Sequence, residues 1–516
     1  MGHFERLSAL DASFLEIETP HSSMAVGAVC VFAGGDLVDA SGAVDAARVR
    51  AYIAAAITRL PRYRQRMVRV PVVGQPVWVD DERFVLDYHV RHTRLPAPGD
   101  AAQLDALAGR LFSQRLDRDH PLWEAWIVEG LRDRRFALIT KVHHAMIDGV
   151  AGAALLAQLL RFTPDATVGA APPWTPRPHP HGAELLRAEI DHHNRRVGAG
   201  LAWARAHLRA GVPAELRASG RGIVEALRAG LAPAPATRLN PPRIGPHRRF
   251  TTLSLDLAAI KQVKAALGGT VNDVVLATVT GGLRRYLQRH GDDPATLGAL
   301  RALMPVNIRA ATDAAGGNHV AMLLVPLPID VADPAQRLTA VSAASKRLRT
   351  ESDQVAGVAL FEQIADAIAT GLVANVFRLA ARLRAFNVTV TNVPGPPMPL
   401  YLLGARLEGI YPLVPLFERQ AVGVALFSYA GRLDVGLVTC WHTVPDLAAL
   451  LDPRWFATQK ARAHLCAARS SAEQWIPQLG AEWIAALEDE VCLRITEQNA
   501  LRFSAHEPVA LEIELK

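Results

Sequence analysis

Cysteine is scarce in this chain: Cys30, Cys440, Cys466 and Cys492 are the only four in 516 residues, and no two form a CxxC pair. That argues against structural zinc and fits a reducing compartment. Nothing approaches the run of ~18 uncharged apolar residues that a spanning helix needs. The start, MGHFERLSALDASFLEIE, has acids scattered through it and no apolar core of a secretory signal. No GxSxG occurs, so a hydrolase built on a serine nucleophile is not expected. These absences point to a cytoplasmic chain that meets lipid, if at all, at a surface.

Half of the residues are hydrophobic and 21% are charged, the balance of a globular protein with a large core. The length suggests two or three domains. Charge is placed unevenly. Residues 181–250 hold twelve arginines, no lysine and five acids, a net +7 against +6 for the whole chain. The remainder is therefore near neutral and offers no basic stripe for nucleic acid. The arginine-rich segment suits a solvated helical connector, an anionic membrane surface or the phosphates of an acyl-CoA.

The order of patterns suggests two α/β halves. Strands are expected at 24–33 and in a hairpin around Gly74, and helices at 43–61 and 101–116. WEAWIVEGLRDRRFALITKVHH reads as strand, turn, strand, with FALITKV running into His143. GVAGAALLAQLLRF (149–162) then reads as a buried helix. The proline-rich stretch 163–180 marks a boundary. Helical stretches near 183–210 and 214–231 follow. A second unit opens at RFTTLSLDL, with a helix at 270–290, strands in LRALMPVNIR and HVAMLLVPLPI, and a long helical region at 333–384. Its part 355–384 is low in charge and suits an acyl channel, a lipid surface or a buried core helix. Strands close the unit at 386–392, 421–429 and 432–439. The expected division is residues 1–180, a basic helical linker 181–246, a second half 247–480, and a tail 481–516 whose role the sequence does not disclose.

KVHHAMIDGV (141–150) carries the chemistry. His143 and His144 sit where a buried strand ends and a helix begins, a place where ligands gather in open sheets. Asp148 and Gly149 follow. A neutral imidazole can take a proton from an alcohol and return it to a leaving group, given a fixed orientation. Asp148 suits either orienting that ring or holding the loop through an arginine elsewhere. Gly149 permits close backbone approach to a ligand. The competing readings are a satisfied core histidine and a metal ligand; the second lacks a third ligand at suitable spacing. The chain's other histidine pair, in DHHNRR (191–196), has no Asp-Gly after it and reads as surface. A base without a protein nucleophile suggests direct transfer between two bound substrates.

His143, His144, Asp148 and Gly149 in HHxxxDG resemble the acyl-CoA-dependent transferases of the chloramphenicol acetyltransferase and condensation-domain type. Further blocks narrow this: LSALDASFLEIE at 7–18, PLWEAWIVEGL at 121–131, TVNDVVLA at 270–277, MPVNIR at 304–309, GGNHVAMLLVPLP at 316–328 and FNVTVTNVPGPPMPLYLLGA at 386–405. Together, across roughly residues 5 to 450, they are similar to the wax ester synthase / bacterial diacylglycerol acyltransferase family. The strand end CWHTVPDL (440–447) departs from that pattern, and residues 481–516 have no match in it.

The resemblance implies two chloramphenicol acetyltransferase-like halves with mixed sheets and a central channel. It implies an O-acyltransferase making triacylglycerol from diacylglycerol, wax esters from long-chain alcohols, or both. Long-chain acyl-CoA is then a co-substrate, with no cofactor and no metal. His144 becomes the general base and His143 its support. Asp148 becomes structural, with Arg309 as its expected partner. Asn272 in the Asn272-Asp273 block suits an oxyanion donor or a helix N-cap, and Asn392 a channel wall or a rigid turn. The expected partners are acyl-CoA, a hydroxyl acceptor and a peripheral lipid or membrane surface. The rival readings are a carrier- or CoA-dependent condensation-type acyltransferase and a non-catalytic lipid-binding module.

Overall fold

The computed structural model describes residues 4–146, 154–165, 167–169, 171–210, 233–307, 320–353, 384–447 and 450. Asp148, Gly149, Arg309, the helices expected at 214–231 and 355–384, and the tail 481–516 lie outside these residues. The first half runs β1 (Phe4–Arg6), α1 (Ala9–Ile17), β2 (Ala25–Ala33), α2 (Ala46–Ile57), β3 (Gln65–Arg69), β4 (Pro76–Asp80), α3 (Leu86–His89), β5 (Val90–Arg94), α4 (Ala101–Ser113), β6 (Trp123–Leu131), β7 (Arg135–His143) and α5 (Ala154–Leu159). Helix α6 (Gly182–Ala210) leads to the second half. This runs β8 (Arg248–Asp256), α7 (Leu257–Leu267), α8 (Val271–Arg289), α9 (Pro294–Leu297), β9 (Leu300–Asn307), β10 (Val320–Leu327), α10 (Pro334–Asp353), β11 (Val388–Pro394), β12 (Tyr401–Leu402), β13 (Ala405–Leu413), β14 (Val422–Tyr429) and β15 (Arg432–Cys440).

Two six-stranded mixed sheets dominate. The second has the order β10-β9-β11-β14-β15-β8, with β11 parallel to both neighbours. The first has the order β12-β13-β2-β7-β6-β5. Its β12 and β13 come from residues 401–413, so the second half lends two strands to the first. Strand β13 pairs antiparallel with β2, with Ile410 opposite Cys30. Nothing in the period-2 pattern of ARLEGIYPL signals that choice of partner, which is made by packing. Gly436 on β15 shows how tightly the sheets approach: a Cβ there would lie 1.9 Å from the Pro412 carbonyl oxygen of β13. Only hydrogen fits at that point.

Side-chain caps set the main helix starts. Asp100 and Gln103 form a reciprocal capping box on α4. Thr270 and Asp273 form another on α8, the Thr270 hydroxyl accepting from the Asp273 backbone and the Asp273 carboxylate accepting from the Thr270 N–H. The N-cap of α8 is thus Thr270 and not Asn272, which is the second residue of the helix.

A third, small sheet in the order β1-β4-β3 carries the hairpin expected around Gly74, whose φ of 76° serves the turn. The start of α6 packs on it: Leu185 is buried with Val70, Val77 and Val79. The proline-rich stretch before α6 is also tied down, Arg177 bonding both carboxylate oxygens of Asp80 at 2.7 and 3.0 Å. No helix among the described residues is long and apolar enough to cross a membrane.

Candidate active site

Strand β7 delivers the histidine pair to the edge of the first core. Its end is clamped between two neighbours. The His143 N–H donates to the Leu122 carbonyl at 2.9 Å and the His144 N–H to the Met24 carbonyl at 2.8 Å. Leu122 belongs to Pro121-Leu122-Trp123, and this contact gives that block a physical task. Trp123 is fully buried, and its indole N–H donates to the Tyr63 carbonyl at 2.8 Å. Antiparallel pairing of β7 with β2 on one side and β6 on the other thus holds the backbone of the histidine pair in place.

His143 is 1% exposed. Its Nδ1 accepts the Ala145 N–H at 3.0 Å. An accepting Nδ1 leaves the ring proton on Nε2 in the neutral form. That nitrogen faces Glu18 Oε1 at 3.6 Å. Glu18 is itself enclosed: Oε1 accepts the Met24 N–H at 3.1 Å and Oε2 accepts from Arg118 at 2.8 Å. Burial alone would raise the Glu18 pKa, but His143 and Arg118 outweigh it and bring it down to about 2. Two residues earlier on β7, Lys141 is buried, and its ammonium caps the end of α4 through the Leu111 and Gln114 carbonyls at 2.9 and 2.6 Å. Burial lowers its pKa to about 8.

His144 lies differently. Its ring stacks on Phe14 of α1, centroids 3.7 Å apart and planes 21° apart. Nδ1 is buried with no hydrogen-bond partner among the described residues. Some of the residue is still reached by solvent, yet the ring's surroundings are dense. That density, with His143 beside it, lowers the pKa to about 4. A neutral imidazole at the mouth of a buried strand, with no charge partner among the described residues, is chemically a base rather than an acid at neutral pH.

Phe14 and Glu18 were not anticipated as site residues. Ser8 caps α1, accepting the Asp11 N–H at 3.0 Å. The two residues are four positions apart, so the end of one helix presents Phe14 to His144 and Glu18 to His143. The spacing was visible in LSALDASFLEIE, but its partner lies more than 120 residues away.

Asn272 and Asn392 meet each other: the Asn392 amide donates to Asn272 Oδ1 at 2.6 Å. This joins the start of α8 to the end of β11. The buried Asn392 Oδ1 has no hydrogen-bond partner among the described residues. Asp273 is consumed by the capping box and also accepts from Ser342 at 3.4 Å. No hydrogen bond among the described residues links the asparagine pair to the histidine pair. The departing strand end places the Trp441 ring 3.6 Å from the Arg249 guanidinium. Among the described residues no group of three or more His, Cys, Asp or Glu side chains is arranged to hold a metal ion.

Comparison with known proteins places this geometry. Residues 7–275 match the wax ester synthase/diacylglycerol acyltransferase catalytic domain, and residues 316–453 match the WS/DGAT C-terminal domain. A Mycobacterium tuberculosis protein provisionally named a diacylglycerol O-acyltransferase is 33% identical over 467 residues, 87% of this chain and 88% of the relative. Another from that organism, provisionally named diacylglycerol O-acyltransferase tgs2, is 38% identical over 388 residues, 73% of this chain and 82% of its own. The solved wax ester synthase/diacylglycerol acyltransferase from Marinobacter aquaeolei VT8 superposes with a TM-score of 0.62 at 28% identity, over 89% of this chain and 99% of that one. The starter condensation domain of rhizomide synthetase shares the fold at 14% identity, TM-score 0.54, over 90% of this chain and 95% of that one. With the histidine pair at the end of β7 and both family models matched in order, the chain belongs to the wax ester synthase/diacylglycerol acyltransferase family.

Proposed function

We propose that this chain is an acyl-CoA-dependent O-acyltransferase that makes triacylglycerol from diacylglycerol, wax esters from long-chain alcohols, or both. The observation that carries the reading is His144: an imidazole held neutral by burial, stacked on Phe14, in a chain of this family. His144 takes the proton of the acceptor hydroxyl as its oxygen attacks the thioester carbonyl. The tetrahedral intermediate collapses, the C–S bond breaks, and the CoA thiolate leaves with the proton returned from His144. The products are an ester and free CoA thiol. A base with a pKa near 4 is already deprotonated at pH 7 and needs no activating step.

His143 and Glu18 act as positioning residues in this scheme. The Glu18 carboxylate fixes the His143 ring, and His143 in turn borders His144. Asp148 and Arg309 are read as an ion pair that braces the loop after the histidines. Asn272 is read as the oxyanion donor, with Asn392 holding its amide; removing one such donor typically costs ~10²–10³ in rate.

Lipid association belongs to the same reading. Along α6, Arg187, Arg195 and Arg205 are exposed. Ile190 and Val197 are also exposed, seven residues apart and therefore on one helical face. A basic helix with an apolar stripe suits an anionic lipid surface, where acceptors of this class dissolve. The test of the activity is release of CoA thiol from a long-chain acyl-CoA on adding a long-chain alcohol or diacylglycerol. Absence of release with both acceptors would overturn the reading and favour a carrier-dependent or non-catalytic protein.

A further inference from the structure

Residues 18–24, between α1 and β2, touch both halves of the molecule. They are built around a tight turn. The Ser22 N–H donates to the Thr19 carbonyl and the Thr19 N–H to the Ser22 carbonyl, each at 3.1 Å. Pro20 stands at the second position of this turn, where its fixed φ suits the bend. The His21 N–H donates to the Thr19 hydroxyl at 3.3 Å and tightens it further.

Both ends of the stretch reach the histidine pair. Glu18 faces His143 Nε2 at 3.6 Å, and the Met24 carbonyl accepts the His144 N–H at 2.8 Å. The ends are also joined to each other, since Glu18 Oε1 accepts the Met24 N–H at 3.1 Å. A shift of the turn therefore moves the support of both imidazoles together.

The middle of the stretch is held by the second half. The Arg248 guanidinium of β8 donates to the His21 carbonyl at 2.5 Å, and the Ser22 hydroxyl donates to the Leu416 carbonyl at 2.5 Å. The two links come from one end of the second sheet. Arg248 lies opposite Cys440 in the β8–β15 register, and the Cys440 N–H donates to the Ala421 carbonyl at 2.9 Å. Leu416 lies in the connection that leads through Ala421 into β14.

Arg248 is 5% exposed, and among the described residues no carboxylate pairs with it. Its guanidinium is committed to backbone carbonyls, Gly245 at 2.6 Å and His247 at 3.3 Å in addition to His21. Its own N–H donates to the Ser113 hydroxyl at 2.8 Å, at the end of α4. Burying a cation is costly, and an apolar side chain would fill the same space at lower cost. What the guanidinium adds is direction: its planar fork fixes where the His21 carbonyl lies relative to β8. Ser22, 1% exposed, adds a second directed link beside it.

We infer that Arg248 and Ser22 are positioning residues. Through residues 18–24 the second half sets the backbone partner of His144 and the carboxylate behind His143. The rate arm of the test rests on the acyltransferase reading; the exchange arm does not.

Arg248→Gln and Ser22→Ala break the two links in the full-length protein, and melting temperatures check the fold. Amide hydrogen exchange is read first, residue by residue and without turnover. The His144 N–H, bound to Met24, should exchange at least ~10-fold faster in each variant, while the His143 N–H, bound to Leu122 on the other side of β7, should change less. The rate of CoA thiol release follows. Each variant should lose about 10-fold or more in kcat, with KM for acyl-CoA and acceptor within about twofold, because a misplaced base costs rate and not binding. In a His144→Ala background the same substitutions should cost little more, since they act through that ring. Arg248→Lys retains a charged donor and should recover part of the lost kcat. Ser22→Ala removes a single atom and keeps the test open if Arg248→Gln does not fold. Folded variants with wild-type exchange at His144, with wild-type kcat, or with their full loss added on top of His144→Ala would overturn the inference. Faster exchange at His144 in a protein that transfers no acyl group to either acceptor would leave the link standing and sink the acyltransferase reading instead.

Discussion

At the scale of single residues, the site is governed by what burial does to charge. The pKa of His144 is lowered to about 4 by burial and by His143. As a base it works unprotonated, so kcat/KM should stay level from about pH 8 down to about pH 5 and fall as pH drops through about 4. A pH–rate profile in a short-chain assay checks this, and an acid limb centred near the ordinary 6.5 would show that the ring is not desolvated in the working enzyme. Stability follows the same sign. The unfolded state binds the His144 proton at higher pH than the folded state, so stability falls as pH drops from about 6.5 towards 4. Glu18 adds to it: with its pKa near 2 against an ordinary 4.5, its contribution is present above about 4.5 and lost as pH falls through 2. Glu18→Gln should therefore flatten the acid side of the melting curve below pH 4.5. It should also lower kcat by roughly 10-fold or more, since an orienting carboxylate behind a histidine commonly carries that much. An unchanged kcat in folded Glu18→Gln would remove it from the positioning role.

At the scale of elements, the two halves are fastened by contacts that can be tested singly. Asp105 of α4 accepts from the Thr252 N–H at 3.2 Å and its hydroxyl at 3.3 Å, tying α4 to β8. Burial raises its pKa to about 6, and the threonine hydrogen bonds do not offset it. Between pH 3.8 and 6 the folded state holds a proton that the unfolded state has lost, so ionisation costs stability as pH rises. Asp105→Asn keeps the acceptor oxygen and removes the charge. Its melting temperature should match wild type near pH 4 and exceed it above pH 6; equal values at pH 8 would contradict the buried-carboxylate account. Gly436→Ala should cost about 1–3 kcal/mol, because a Cβ 1.9 Å from the Pro412 carbonyl forces β15 and β13 apart. Denaturant midpoints would show it. The same elements show what can be read from sequence. Alternating and apolar runs located β2, β6, β7, β14 and β15, and the turn residues Gly74 and Gly431 marked two hairpins, because these signals are local. The start of α8 was located as well, from the helical pattern at 270–290, but the cap is Thr270 with Asp273 and not Asn272. The partner of β13 and the match of Glu18 to His143 are choices between distant segments, and one sequence holds no local sign of either.

At the scale of the whole molecule, a chain close to neutral outside residues 181–250 concentrates its positive charge in the segment that contains α6. Charge reversal at Arg195, Arg196, Arg205 and Arg209 should release most of the protein from anionic vesicles in flotation, since each arginine near such a surface adds about 1 kcal/mol. Activity on a soluble short-chain alcohol should survive. Unchanged flotation with a raised acyl-CoA KM would move the role of these arginines to the CoA phosphates. The second half lends β12 and β13 to the first sheet, so the two halves belong to one folded body. The claim on which the rest depends is that His144 is the base. It is tested most directly by the rate of CoA thiol release from a long-chain acyl-CoA and acceptor, measured for wild type, His144→Ala and His143→Ala at matched melting temperatures. The account predicts a loss of about 10²-fold or more for His144→Ala and a milder loss for His143→Ala. A folded His144→Ala protein that keeps its rate, or His143→Ala as the more damaging change, would contradict it.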